Sequence, residues 1–217
     1  MERTRDKERL NQLRAQKAAR KATKAQEEAA RRVEAAELAS AMPQLSRLEQ
    51  ESLAPLLESL RLVIHPIAPD GSCLFNAIAH QLTLRYGRRC DQAALRRLAA
   101  QQLKREAEKY SAFLEEPMEE YCEKLLGNDM WGGHLELDAL STALAVPITV
   151  YQAGVPPIKF GDAGGGSSLC LCFRKFAYSL GEHYDSLEDR PMDVGKADVD
   201  VDVDVDSLEN KDSDHGA

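Results

Sequence analysis

Between residues 63 and 188 the apolar pattern changes period once, from helical to strand-like. That change constrains the fold more than any other feature. Ser72 stands at an N-cap position, and Phe75, Ile78 and Leu82 follow at helical spacing until Gly87 stops the run. Leu95, Leu98, Leu103 and Tyr110 mark a second helix. Pro117 opens a third, with Met118, Tyr121, Cys122, Leu125 and Leu126 on one face. Leu137, Leu140 and Leu144 make a fourth, ended by Pro147. Then Ile148 to Tyr151 and Leu169 to Phe173 read as strands around a glycine-rich loop, Gly161 to Ser168. His183 to Leu187 reads as a third strand. Helices followed by strands predict an α/β fold, a small β-sheet held between helices.

The flanks have a different texture. Residues 1–42 are predicted to form a charged helical arm, because Ala, Arg, Lys, Glu and Gln dominate and large apolar residues are sparse. Residues 1–34 carry a net charge of +5. The arm reads either as a solvated helix or weak coiled coil, or as a docking arm for RNA or a ribosomal surface. Residues 43–62 read as a helical brace in which Pro55 begins a new helix. The domain at 63–188 follows. Residues 189–217 read as a disordered acidic tail, because Asp and Val alternate from Asp198 to Asp206 with no EF-hand glycine turn.

The overall charge of −8 argues against a protein that coats nucleic acid along its whole surface. Five cysteines, an odd number without zinc-finger spacing, predict no disulfide framework and no zinc finger. The charged start and the absence of an apolar run of about 18 residues predict no leader and no membrane span. The expected compartment is therefore reducing: the cytoplasm, with the nucleus as a second location. The oligomeric state is left open.

The chemistry concentrates at Asp70-Gly71-Ser72-Cys73-Leu74-Phe75, where a cysteine stands between a glycine turn and an amphipathic helix. A helix N-terminus favours a thiolate, and its free N–H groups can face an oxyanion. The N–H groups of Cys73 and of the preceding turn, Gly71 and Ser72, are the expected donors, with glycine permitting the turn. A small buried apolar cysteine is the competing reading. A thiol nucleophile needs an imidazole oriented by a third group. His183 fits best, because Asp185 lies two residues on and shares its strand face. A surface histidine beside an acid is the alternative there. His65 precedes a proline, His80 is too far along its helix, His134 opens a helix and His215 lies in the tail.

Three blocks then resemble one family in its own order. Asp70 to Phe75 is similar to the cysteine signature of the ovarian-tumour (OTU) deubiquitinases. Trp131-Gly132-Gly133-His134-Leu135-Glu136-Leu137 is similar to their central block, and Gly181-Glu182-His183-Tyr184-Asp185-Ser186 to their histidine block. The resemblance covers about residues 63–188, and within the family the chain looks like the small branch with a charged N-terminal helical arm. It implies a papain-like cysteine protease fold and thiol-dependent hydrolysis of ubiquitin isopeptide bonds, without metal or cofactor. It implies Cys73 as nucleophile, His183 as base, and Asp185 and Asp70 as active-site acids whose relative weight stays open. Ser72 and Asp185 stand where that branch often has other polar residues.

Trp131 either packs a loop or lines a groove for the ubiquitin tail, and Gly132 and Gly133 suit both readings. Glu136 either binds an arginine of that tail or is first-turn helix charge. A module that binds ubiquitin, or a ribosome or RNA through the arm, with little intrinsic activity, is the alternative function.

Overall fold

The computed structural model describes residues 2–127, 130–162, 166–178 and 181–191, with side chains at residue 17 and from residue 19 onward. Helix α1 (Glu2–Ser59) leads into strand β1 (Leu62–His65). Helices α2 (Cys73–Tyr86), α3 (Gln92–Arg105), α4 (Ala107–Tyr110), α5 (Met118–Leu126) and α6 (His134–Leu144) follow. The sheet is completed by β2 (Ile148–Gln152), β3 (Ile158–Phe160), β4 (Leu169–Tyr178) and β5 (Gly181–Asp189).

Its order is β1-β5-β4-β2-β3, mixed, with β2 and β4 parallel and the other pairs antiparallel. Strand alternation divides two cores across β4. Leu169 and Leu171 join Phe75, Ile78, Leu103, Leu137 and Leu140 in the larger one. Cys170 and Cys172 join Leu53 and Leu57 of α1 in the smaller one. The sheet therefore lies between the helices of the domain and the C-terminal turns of α1.

The expected break at Pro55 does not occur. Helix α1 runs unbroken through Pro43 and Pro55, so the arm and brace are one helix. Proline removes one ladder bond and frees a carbonyl. Both prolines are exposed, so water can reach that face. Residues 19–40 are exposed, whereas Leu53 and Leu57 are buried against the sheet. Glu49, also buried, accepts hydrogen bonds from the backbone N–H of Lys175 (2.7 Å) and Phe176 (3.1 Å). This places α1 against the irregular stretch of β4 between Arg174 and Tyr178. The alternating acidic run and Gly164–Gly165 lie outside the described residues.

Strands β1 and β3, four and three residues long, were not expected from the pattern. The helix read through Leu95 to Tyr110 is divided at Glu106 into α3 and α4. Gln81, wholly buried, knits β4 to β5 where their ladder ends. Its amide accepts from Cys170 N (2.8 Å) and donates to Leu187 O (2.6 Å) and Ser186 Oγ (2.7 Å).

Candidate active site

Cys73 is the first residue of α2, and His183 lies on β5, the strand against which α2 packs. The thiol lies close enough to the imidazole to raise its pKa. His183 Nε2 lies 3.1 Å from Asp185 Oδ1, which leaves Nδ1 as the ring nitrogen available to the thiol. Both strand residues are withdrawn from solvent, at 2% and 0% exposure.

Asp185 is held from three further positions. Its Oδ1 accepts from Ile67 N (2.9 Å), and its Oδ2 accepts from Arg174 Nε (2.7 Å) and a second guanidinium nitrogen. Burial alone raises a carboxyl pKa. Here the bonds from His183 and Ile67 and the Arg174 charge outweigh it, so Asp185 is held below its ordinary value. Burial likewise works against a charged His183. The bond to Asp185 and the nearby Cys73 thiol prevail, and its pKa is pushed up to about 9. The Tyr178 ring meets the imidazole edge-on at 4.7 Å, limiting its rotation. This is a buried acid fixing an imidazole, which in turn faces a thiol at a helix N-terminus. Such an arrangement can transfer a proton between sulfur and a leaving group.

Asp70 is not part of that chain of bonds. It is exposed, and its Oδ1 accepts from Ser72 N (2.8 Å), which shapes the turn before Cys73. This corrects two expectations. The Ser72 N–H is occupied by Asp70 and does not face an open oxyanion site. The Cys73 N–H is directed to the Asp70 carbonyl at 3.3 Å, a long bond. Ser72 is also no side-chain N-cap. Its hydroxyl instead faces Arg96 and Gln92. Gly71 does not adopt positive φ, as Gly87, Gly154, Gly161 and Gly181 do. What it supplies is a carbonyl that accepts from Arg96.

Arg96 and Arg174 went unrecognised in the sequence. Arg96 is 1% exposed and donates to Gly71 O (2.8 Å), Ser72 Oγ (3.1 Å), Leu125 O (2.9 Å) and Met130 O (2.8 Å). Its guanidinium lies 4.3 Å from the centre of the Phe75 ring. It thereby ties the cysteine turn to the segment entering Trp131. The partners that give each arginine its place come from other elements, which the local pattern does not reveal.

Trp131 is 44% exposed and lines a cleft with Pro69, Asp70, Tyr178, Glu182 and His183. That exposure argues against a core-packing role. Gly132 makes a close approach to α2: a Cβ there would meet Leu74 at 2.5 Å and the Phe75 ring at 3.0 Å. Gly133 donates its N–H to Glu136 Oε2 (2.7 Å), and Tyr121 donates its hydroxyl to Glu136 Oε1 (2.6 Å). Glu136 is thus buried and committed to the first turn of α6. Gly133, Phe173, Glu182 and Tyr184 line a neighbouring groove.

The profile of the OTU-like cysteine protease family matches residues 68–184, which contain Cys73, Trp131 and His183. This chain belongs to the OTU-like cysteine protease family. It is 35% identical over 184 residues to the Xenopus laevis protein named Deubiquitinase OTUD6B, covering 80% of this chain and 62% of that protein. It is 36% identical over 168 residues to the Saccharomyces cerevisiae OTU domain-containing protein 2, covering 72% of this chain and 55% of that one. The chain therefore spans less than two thirds of these relatives. The solved OTU domain of OTUD1 superposes with a TM-score of 0.56 at 23% identity, covering 67% of this chain and 98% of that domain, and so shares its fold.

Proposed function

We propose that this OTU-family protein is a cysteine-type deubiquitinase that hydrolyses ubiquitin isopeptide bonds. The observation that carries this reading is the His183 imidazole, set beside the Cys73 thiol and bonded to a buried, fully bonded Asp185. The Cys73 thiolate attacks the isopeptide carbonyl, forming the C–S bond. His183, protonated, gives its proton to the departing lysine amine as the C–N bond breaks. Water then gives a proton to His183, attacks the thioester and releases the ubiquitin carboxylate and the thiolate. Asp185 holds the tautomer and orientation of His183. Asp70 positions the turn. The groove at Gly133, Phe173, Glu182 and Tyr184 is the place this reading gives to an extended C-terminal tail.

The test is reaction with ubiquitin bearing a thiol-reactive group at its C-terminus, beside hydrolysis of a fluorogenic ubiquitin amide. The wild type forms one adduct and turns over. Cys73→Ala forms none and loses turnover while keeping its fold. Turnover near wild type in that variant rejects the assignment.

The basic sequence of residues 1–34 supports a second, separate role, docking on RNA or a ribosomal surface. Such binding weakens steeply with salt, and unchanged ribosome association after removal of residues 1–40 rejects it. Five free cysteines support a reducing, cytoplasmic location.

A further inference from the structure

A second group of ionisable side chains lies at the junction of β1, α2 and β5, and the proposed hydrolysis makes no use of it. His65 ends β1, His80 projects from α2 and Glu188 from β5. Each offers a donor atom within 4.8 Å of the other two. We propose that His65, His80 and Glu188 bind one divalent ion of the zinc class, through two imidazole nitrogens and a carboxylate oxygen.

The spacing supports this. Glu188 Oε1 is 2.9 Å from His65 Nδ1 and 3.5 Å from His80 Nε2. Ligands bonded at about 2.0–2.2 Å in a tetrahedral shell lie roughly 3.3–3.5 Å apart, so small side-chain rotations suffice. The rings now stack at 3.9 Å and 12°, and the ion would draw them out of that stack as it displaced the contact between Glu188 and His65. Two imidazoles and one carboxylate suit zinc, whereas calcium and magnesium require oxygen ligands throughout.

His80 also has the outer partner that metal-bound histidines use. Its Nδ1 lies 2.8 Å from Ser186 Oγ, which is itself fixed by buried Gln81 at 2.7 Å. With Nδ1–H donated to Ser186, the Nε2 lone pair is free for an ion. The three side chains are 27–40% exposed, so an ion can enter and a water can complete the fourth position.

The elements joined are those that build the hydrolytic site. Helix α2 begins with Cys73, β5 carries His183 and Asp185, and Ile67, two residues beyond His65, donates to Asp185. An ion here therefore clamps that framework without touching the thiol.

The test uses untagged full-length Cys73→Ala protein, which removes the active-site thiol as a competing ligand. Zinc binding is followed by calorimetry and by Tm, and His65→Ala and Glu188→Gln are compared in the same background. Glu188→Gln keeps size and hydrogen bonding while removing the anionic ligand, and circular dichroism checks that both variants fold. The expected result is one ion per chain, a raised Tm, and affinity at least about tenfold weaker in both variants. The cobalt form should show visible bands without thiolate charge transfer. No saturable zinc binding, unchanged affinity in folded variants, or an intense thiolate-to-cobalt band overturns the proposal.

Discussion

The carboxylate of Asp185 and the imidazole of His183 meet at 3.1 Å on one face of β5, with Arg174 from the neighbouring strand bound to the other carboxylate oxygen. The pair sets a pH dependence whose sign can be worked out. The folded-state pKa of His183 is about 9, above its ordinary 6.5. Its contribution to stability is full below the unfolded value and is lost as pH rises through about 9. Asp185 is depressed, so its contribution holds above the ordinary carboxylate value and is lost as pH falls through the depressed one. In Asp185→Asn the alkaline limb of kcat/KM should move to lower pH, and the fall in stability between pH 7 and 9.5 should shrink. Profiles identical to wild type in activity and denaturant titrations would refute this account.

Arg96 should matter more than any surface charge. Replacing it with Met strands the carbonyls of Gly71, Leu125 and Met130 in a buried site. The expected loss is about 2–4 kcal/mol of stability, with kcat/KM falling as the cysteine turn loses its tether. Urea denaturation and steady-state kinetics check both, and Arg96→Lys should recover only part because it lacks the fork of donors.

Gly132→Ala tests the close approach of the central block to α2. The added methyl collides with Leu74 and Phe75, which follow Cys73 directly and are almost wholly buried. The expected cost is about 1–3 kcal/mol, with slower adduct formation by Cys73. A Tm equal to wild type would show that the loop shifts freely.

Glu49→Ala removes the only carboxylate that the described residues show on the N–H groups of Lys175 and Phe176. It should lower stability by about 1–3 kcal/mol and speed amide exchange in β4. Deleting residues 1–40, of which 19–40 are exposed, should leave Tm unchanged. A large Tm loss on that deletion would contradict the exposed arm.

What was legible in the sequence followed from locality. Cys73 sits in a turn-helix boundary, and His183 with Asp185 is an i, i+2 pair, so both could be found from neighbours alone. Arg96, Gln81 and Glu49 act on partners far along the chain, and Arg174 reaches Asp185 only because β4 and β5 pair, so no local pattern marks them. Edge strands β1 and β3 are too short to establish a period. Pro55 was misread because the rule that proline opens helices is local, whereas packing of Leu53 and Leu57 on the sheet carries α1 through it.

At 1.5 Å per residue, the 58 residues of α1 make a rod of about 87 Å. Its contacts with the sheet fall in its second half, from a groove at Ala35 to Met42 to buried Leu53 and Leu57, so the first half of that length projects beyond the domain it serves. Whatever grips the free part would hold the thiol on a tether of defined length, which makes the helix a ruler. The distance between anchor and cut would then select which conjugates come within reach, independently of how tightly the cleft binds them.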